Sequence, residues 1–115
     1  MKDITKMTKE IVAFRDARDW KQFHNPKDLA ISLSLEASEV LEHFQWKSKE
    51  EIEAYIKTHK EQVGDELADV LYWVLLMSHD LNIDIEKAFE NKMKQNNKKY
   101  TVEKAKGTHT KYTEL

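Results

Sequence analysis

The sequence predicts an all-α fold, an antiparallel helical bundle, on three observations. Two Gly and one Pro among 115 residues leave little turn chemistry. Charged residues make up 35% and hydrophobic residues 40%, the mixture that amphipathic helices need. Apolar residues also return every three or four positions along most of the chain.

Ile4, Met7, Ile11 and Phe14 mark a first helix from about Asp3 to Trp20. Asn25-Pro26 joins a side-chain cap to a residue suited to the first helical position, and so starts a second helix. Leu29, Ala30, Leu33, Ala37, Val40, Leu41 and Phe44 give its buried side, with an end expected near Trp46. Ser48 and Glu51 match a capping box that opens a short bridging helix containing Ile52, Tyr55 and Ile56. A long helix follows from about Lys60 to Leu81; Gly64 inside it is unfavourable, and close approach of a helix or ligand would explain it. Asn82 is a stop, Asp84 a cap, and Ile85, Ala88, Phe89 and Met93 mark the last helix. One domain over residues 1–100 and an irregular tail over 101–115 complete the expectation, with no repeat or linker in view.

Composition narrows the function classes. A formal charge of −2 supplies no global basic field, which argues against binding a nucleic-acid polymer. Lysines do gather late in the chain, from Lys92 to Lys111, where they offer a local anion-binding edge. Without Cys there are no disulfides, thiolate ligands or Cys nucleophile. The opening residues lack the apolar core of a signal peptide, and the longest apolar run contains Asp69 and is too short to span a bilayer. A cytoplasmic protein with no membrane association is the expectation.

Two pairs of carboxylates carry the chemistry: Glu36 with Glu39, and Glu66 with Asp69. Three positions on a helix turn the chain by about 60° short of a full circle, so both acids of a pair lean the same way. Asp69 lies in the most apolar stretch, Leu67 to Met77, which predicts a place in the core. An unpaired ionised carboxylate is costly there, and a divalent cation shared by four acids resolves the cost. The competing reading is a solvated acidic face; Glu42 extends the stripe as a further ligand, a hydrogen-bond acceptor or an exposed acid. Oxygen ligands alone favour Mg²⁺, with Mn²⁺ as an option, over Zn²⁺. None of the five His residues has an acid three positions before it, which disfavours a di-iron bundle.

A carboxylate-held Mg²⁺ commonly bridges to phosphate oxygens, and no Gly-rich phosphate loop is present. Lys92, Asn96 and Tyr100, at four-residue steps, either reach a phosphate group or form an exposed helix edge. Trp20, Phe23 and His24 precede the second helix and Trp46 follows it; these aromatics either stack on a base or pack at helix ends. Trp73, one turn after Asp69, is by default a core residue.

The string from Glu36 through Glu39 and Glu42 to Trp46, followed by Gly64-Asp65-Glu66-Leu67-Ala68-Asp69, resembles the all-α MazG-like nucleotide pyrophosphohydrolases. The likeness to their dCTP pyrophosphatase branch tightens at Arg18-Asp19-Trp20-Lys21-Gln22-Phe23-His24, at Lys92 through Asn96 to Tyr100, and at Lys111-Tyr112-Thr113-Glu114-Leu115. The resemblance implies cleavage of a nucleoside triphosphate, dCTP or a modified dCTP, to the monophosphate and pyrophosphate. It assigns Mg²⁺ to Glu36, Glu39, Glu66 and Asp69. It gives nucleotide binding to Trp20, Lys21, Gln22, Phe23, His24, Trp46 and Trp73, with Lys92, Asn96 and Tyr100 in substrate contact. Glu39 is the carboxylate expected to orient the attacking water. A homodimer or homotetramer with sites built across subunits is also implied. Ile11 stands where some relatives carry His, Trp73 where a Tyr can occur, and Thr101 where Pro is common, so base preference stays open. A related enzyme for dUTP or other triphosphates, and a non-enzymatic helical module, are the alternatives.

Overall fold

The computed structural model describes residues 2–114, and every regular element among them is helical. The chain forms two compact units, Met1–Asn82 and Ile83–Leu115. Leu115, part of the motif quoted above, lies outside the described residues.

The first unit holds α1 (Ile4–Ala17), a 3-10 turn (Lys21–Phe23), α2 (Pro26–Glu42) and α3 (Lys49–Asp80), with α1 and α2 both packed on α3. Side-chain caps set the helix starts. Asp3 accepts from the Lys6 amide at 2.9 Å and Asn25 from the Asp28 amide at 2.9 Å. Ser48 and Glu51 form the reciprocal box, at 3.1 and 3.2 Å. Each bond satisfies an amide that the first helical turn leaves unpaired.

The ends fall earlier than the apolar spacing suggests. α1 stops at Ala17 rather than Trp20, because Asp19 takes a left-handed backbone (φ 54°) and Gln22 caps it from the next turn. α2 stops at Glu42, and the chain turns through Trp46 at φ 68°. The short and long helices expected over 48–81 are one element broken at His59, whose backbone (φ −123°, ψ 19°) is non-helical. The His59 ring stacks on Tyr55, with centroids 4.0 Å apart and planes 2° from parallel.

Leu29, Leu75 and Leu76 are the buried apolar side chains among the described residues, and Arg15 is buried with them. The Arg15 guanidinium donates to Asp80 at 2.5 Å and to Asp16 at 3.1 Å, joining the end of α1 to the end of α3. Two expectations fail here. Asp69 is exposed rather than enclosed: the apolar run is helical, so Leu75 and Leu76 are buried while Leu67, Leu71 and Asp69 keep contact with water. Gly64 answers no close approach within the chain, since a Cβ built on it meets nothing within 4 Å.

The second unit comprises α4 (Ile85–Lys99), a one-turn α5 (Val102–Ala105) and a 3-10 turn (Tyr112–Glu114). Asp84 caps α4 through the Lys87 amide at 3.1 Å, after Asn82 has turned the chain at φ 55°. The tail is not irregular throughout. Tyr112 packs edge-on to Tyr100 (5.9 Å) and lies under the Lys99 ammonium (4.6 Å).

Candidate metal centre and adjoining cleft

α2 supplies Glu36 and Glu39; α3 supplies Glu66 and Asp69 beyond the break at His59. One oxygen from each carboxylate lies within 4.8 Å of the others, with Glu36 and Glu66 half-buried and Glu39 and Asp69 exposed. The i, i+3 spacing on two packed helices thus produces the convergence read from sequence, at the edge of the unit instead of in its core.

The electrostatics of this group favour a cation. Oε2 of Glu36 is shielded from water and has no hydrogen-bond partner. Desolvation first, then the approach of Glu39 and the charges of Asp69 and Glu66, push the Glu36 carboxyl up to about 7. Glu66 is also raised, chiefly by Glu39 and then by desolvation and Asp69, while His43 acts in the opposite direction. Carboxylates that resist ionisation together lose that penalty when a hard divalent ion replaces the proton. An all-oxygen donor set with an orphaned buried oxygen fits Mg²⁺ or Mn²⁺.

A cleft of about 470 Å³ opens beside the carboxylates and shares Glu36 and Asp69 with them. Glu10, Ile11 and Phe14 of α1 form one wall, with Trp20, Tyr72 and Trp73 completing the lining. The aromatics make a continuous edge-to-face series: Trp20 to Phe14 at 5.8 Å, Phe14 to Tyr72 at 6.3 Å, and Tyr72 to Trp73 at 5.0 Å. The Arg18 guanidinium lies 3.8 Å from the centre of the Phe14 ring. Burial raises the Tyr72 hydroxyl, with Arg15 and Arg18 opposing it.

The other sequence-predicted residues are distributed differently. Lys21 and His24 line a second cleft of about 320 Å³ with His79 and Asp80; His24 also meets Trp73 edge-on at 5.6 Å. Gln22 is engaged with Asp19, and Phe23 is exposed. Trp46 is 92% exposed; Gln22, Phe23 and Trp46 line neither of these two clefts. Lys92, Asn96 and Tyr100 belong to the second unit, on α4 and at its C-terminal end. Nothing in the sequence marks Glu10, Phe14 and Tyr72 as site residues, since their spacing gives only a helix face. His43 was also missed: it faces Glu66 from α2's end, a relation no local pattern carries.

Residues 31–115 match the MazG-like family. The chain is 34% identical to dCTP pyrophosphatase 1 of Rattus norvegicus and 32% identical to that of Homo sapiens, over its whole length and 67% of each relative. A crystal structure of a pyrophosphatase from Archaeoglobus fulgidus superposes with a TM-score of 0.77 at 38% identity, over 81% of this chain and 87% of the other. With the four-carboxylate arrangement on α2 and α3, these likenesses establish that the chain belongs to the MazG-like family.

Proposed function

We propose that the protein hydrolyses a deoxynucleoside triphosphate, dCTP or a modified dCTP, to the monophosphate and pyrophosphate, with Mg²⁺ as cofactor. One observation carries the reading: four converging carboxylates border an aromatic-walled cleft and share Glu36 and Asp69 with it. The cleft's volume is within the range of small-molecule sites. The names of the relatives support the reaction class.

Mg²⁺ held by Glu36, Glu39, Glu66 and Asp69 would neutralise charge developing on the phosphates. Glu39, exposed at the edge of the cluster, orients the attacking water and accepts its proton. Trp20 and Trp73 present ring edges and faces to the base, and the apolar contacts of Phe14 and Ile11 exclude water beside it. Lys21, Gln22, Phe23 and His24 belong to the same nucleotide-holding segment. The family resemblance adds Lys92, Asn96 and Tyr100 as substrate contacts. Trp46 contributes once another copy of the chain covers it, in a homodimer or homotetramer. Acting on the deoxynucleotide pool, the enzyme works in the cytoplasm.

A panel of triphosphates assayed for phosphate and pyrophosphate separately, with and without Mg²⁺, tests this. The expected result is pyrophosphate release from dCTP or a modified dCTP that stops on chelation. Preference for dUTP would shift the assignment to a related specificity, and no product from any triphosphate would overturn it. Glu39→Ala and Asp69→Ala should each abolish release with helicity retained; full turnover by either would remove that acid from the site.

A further inference from the structure

We infer that His43 is a positioning residue for Glu66, held by Tyr55 with its Nε2–H toward that carboxylate. This deepens the proposed metal site and rests on it. His43 directly follows α2, and its side chain is 14% exposed. Its Nδ1 lies 2.6 Å from the Tyr55 hydroxyl, and its Nε2 lies 3.8 Å from Oε1 of Glu66, whose side chain is 25% exposed. Tyr55 and Glu66 stand on opposite sides of the break at His59, so one imidazole ties both halves of α3 to the end of α2.

The chemistry of the contacts selects the tautomer. A phenol can donate to Nδ1, which leaves the single proton of a neutral ring on Nε2, facing an acceptor oxygen. The reverse tautomer would aim the Nε2 lone pair at a carboxylate. Tyr55 is itself fixed, by stacking on His59 and by the Lys47 ammonium 4.4 Å from its ring centre. At 3.8 Å the Nε2–H does not make a direct hydrogen bond, but its dipole favours one orientation of Glu66. Glu66 is thereby ordered before a cation arrives, which lowers the entropic cost of assembling the ligand set.

The test uses the full chain labelled with ¹⁵N-histidine, metal-free, and calorimetric titration with Mg²⁺. The ring spectrum should show neutral His43 protonated on Nε2. His43→Leu should weaken Mg²⁺ binding about tenfold and raise the KM for Mg²⁺ in parallel, with a much smaller effect on kcat at saturating Mg²⁺. Tyr55→Phe should weaken binding several-fold and erase the tautomer preference. His43→Gln, whose amide N–H can stand in for Nε2–H, should restore most of the affinity lost in His43→Leu. A Nδ1–H tautomer in the wild type overturns the assignment, whatever the variants do. So does wild-type Mg²⁺ affinity in His43→Leu while the wild type binds Mg²⁺ and releases pyrophosphate. A wild type that neither binds Mg²⁺ nor turns over overturns the metal reading and this inference together.

Discussion

Among the described residues, Arg15 is the buried charged side chain. It is fully buried, whereas Asp80, which accepts from it, keeps 17% of its side chain in contact with water. The Asp80 and Asp16 contacts raise the Arg15 pKa against the opposing effect of burial. The two truncations should therefore differ. Asp80→Ala leaves the buried cation with the half-exposed Asp16 alone and should cost about 3 kcal/mol, while Arg15→Met fills the space with apolar atoms and should cost less. Denaturant unfolding of both variants checks the order; an equal or reversed cost would show that the guanidinium is not confined. Glu36 makes a second residue-scale prediction. Its folded-state carboxyl is near 7 against an ordinary 4.5, so the folded protein keeps a proton that the unfolded chain releases between those values. Stability without metal should accordingly fall as pH rises from about 4.5 to 7 and level off above. Melting temperatures in chelator across pH 5 to 8 measure this; Glu36→Gln should flatten the slope, and saturating Mg²⁺ should oppose it.

At the scale of the element, what was legible was what is local. Asn25, Ser48 and Asp84 cap through amides three residues away, so composition at those positions was enough to start three helices. The two acid pairs were equally plain, because i, i+3 spacing on a helix leaves little freedom of direction. Burial was not local. The apolar neighbours of Asp69 predict an interior place, but α3 meets α1 and α2 on only part of its circumference. Arg15 was overlooked for the same reason, since its partner Asp80 is 65 residues away. The boundary between a short helix and a long one starting near Lys60 was legible from apolar spacing, and it falls at His59 as a break within α3. Gly64 supplies the test for α3. Open space around it and a helical backbone mean that Gly64→Ala should stabilise the isolated chain by about 1 kcal/mol. A gain that turns into a loss at high protein concentration would reveal a second chain against that position.

At the scale of the whole molecule, the covered core is small for the amount of apolar side chain present. Ile31 and Leu35 on α2, and Leu67 and Leu71 on α3, are between 41% and 61% exposed. Such stripes, four residues apart on two packed helices, favour association over solvation. Sedimentation should therefore give a dimer or tetramer, and Leu35→Glu with Leu67→Glu should reduce it to a monomer of lower stability; a wild-type monomer at all concentrations would remove the assembly from the functional reading. The family's 31–115 match begins at this part of α2, and α1 precedes it. That division gives the Arg15 contact a further meaning. α1 is pinned at its C-terminal end by the guanidinium, and its Glu10 and Ile11 face Tyr72 and Trp73 across the cleft. Any tilt of α1 about Arg15 would open the gap at Glu10 and Ile11 more than at Phe14, which packs on Tyr72 beside the pivot. A ligand entering the proposed site would pass an opening whose width depends on a contact it need not touch.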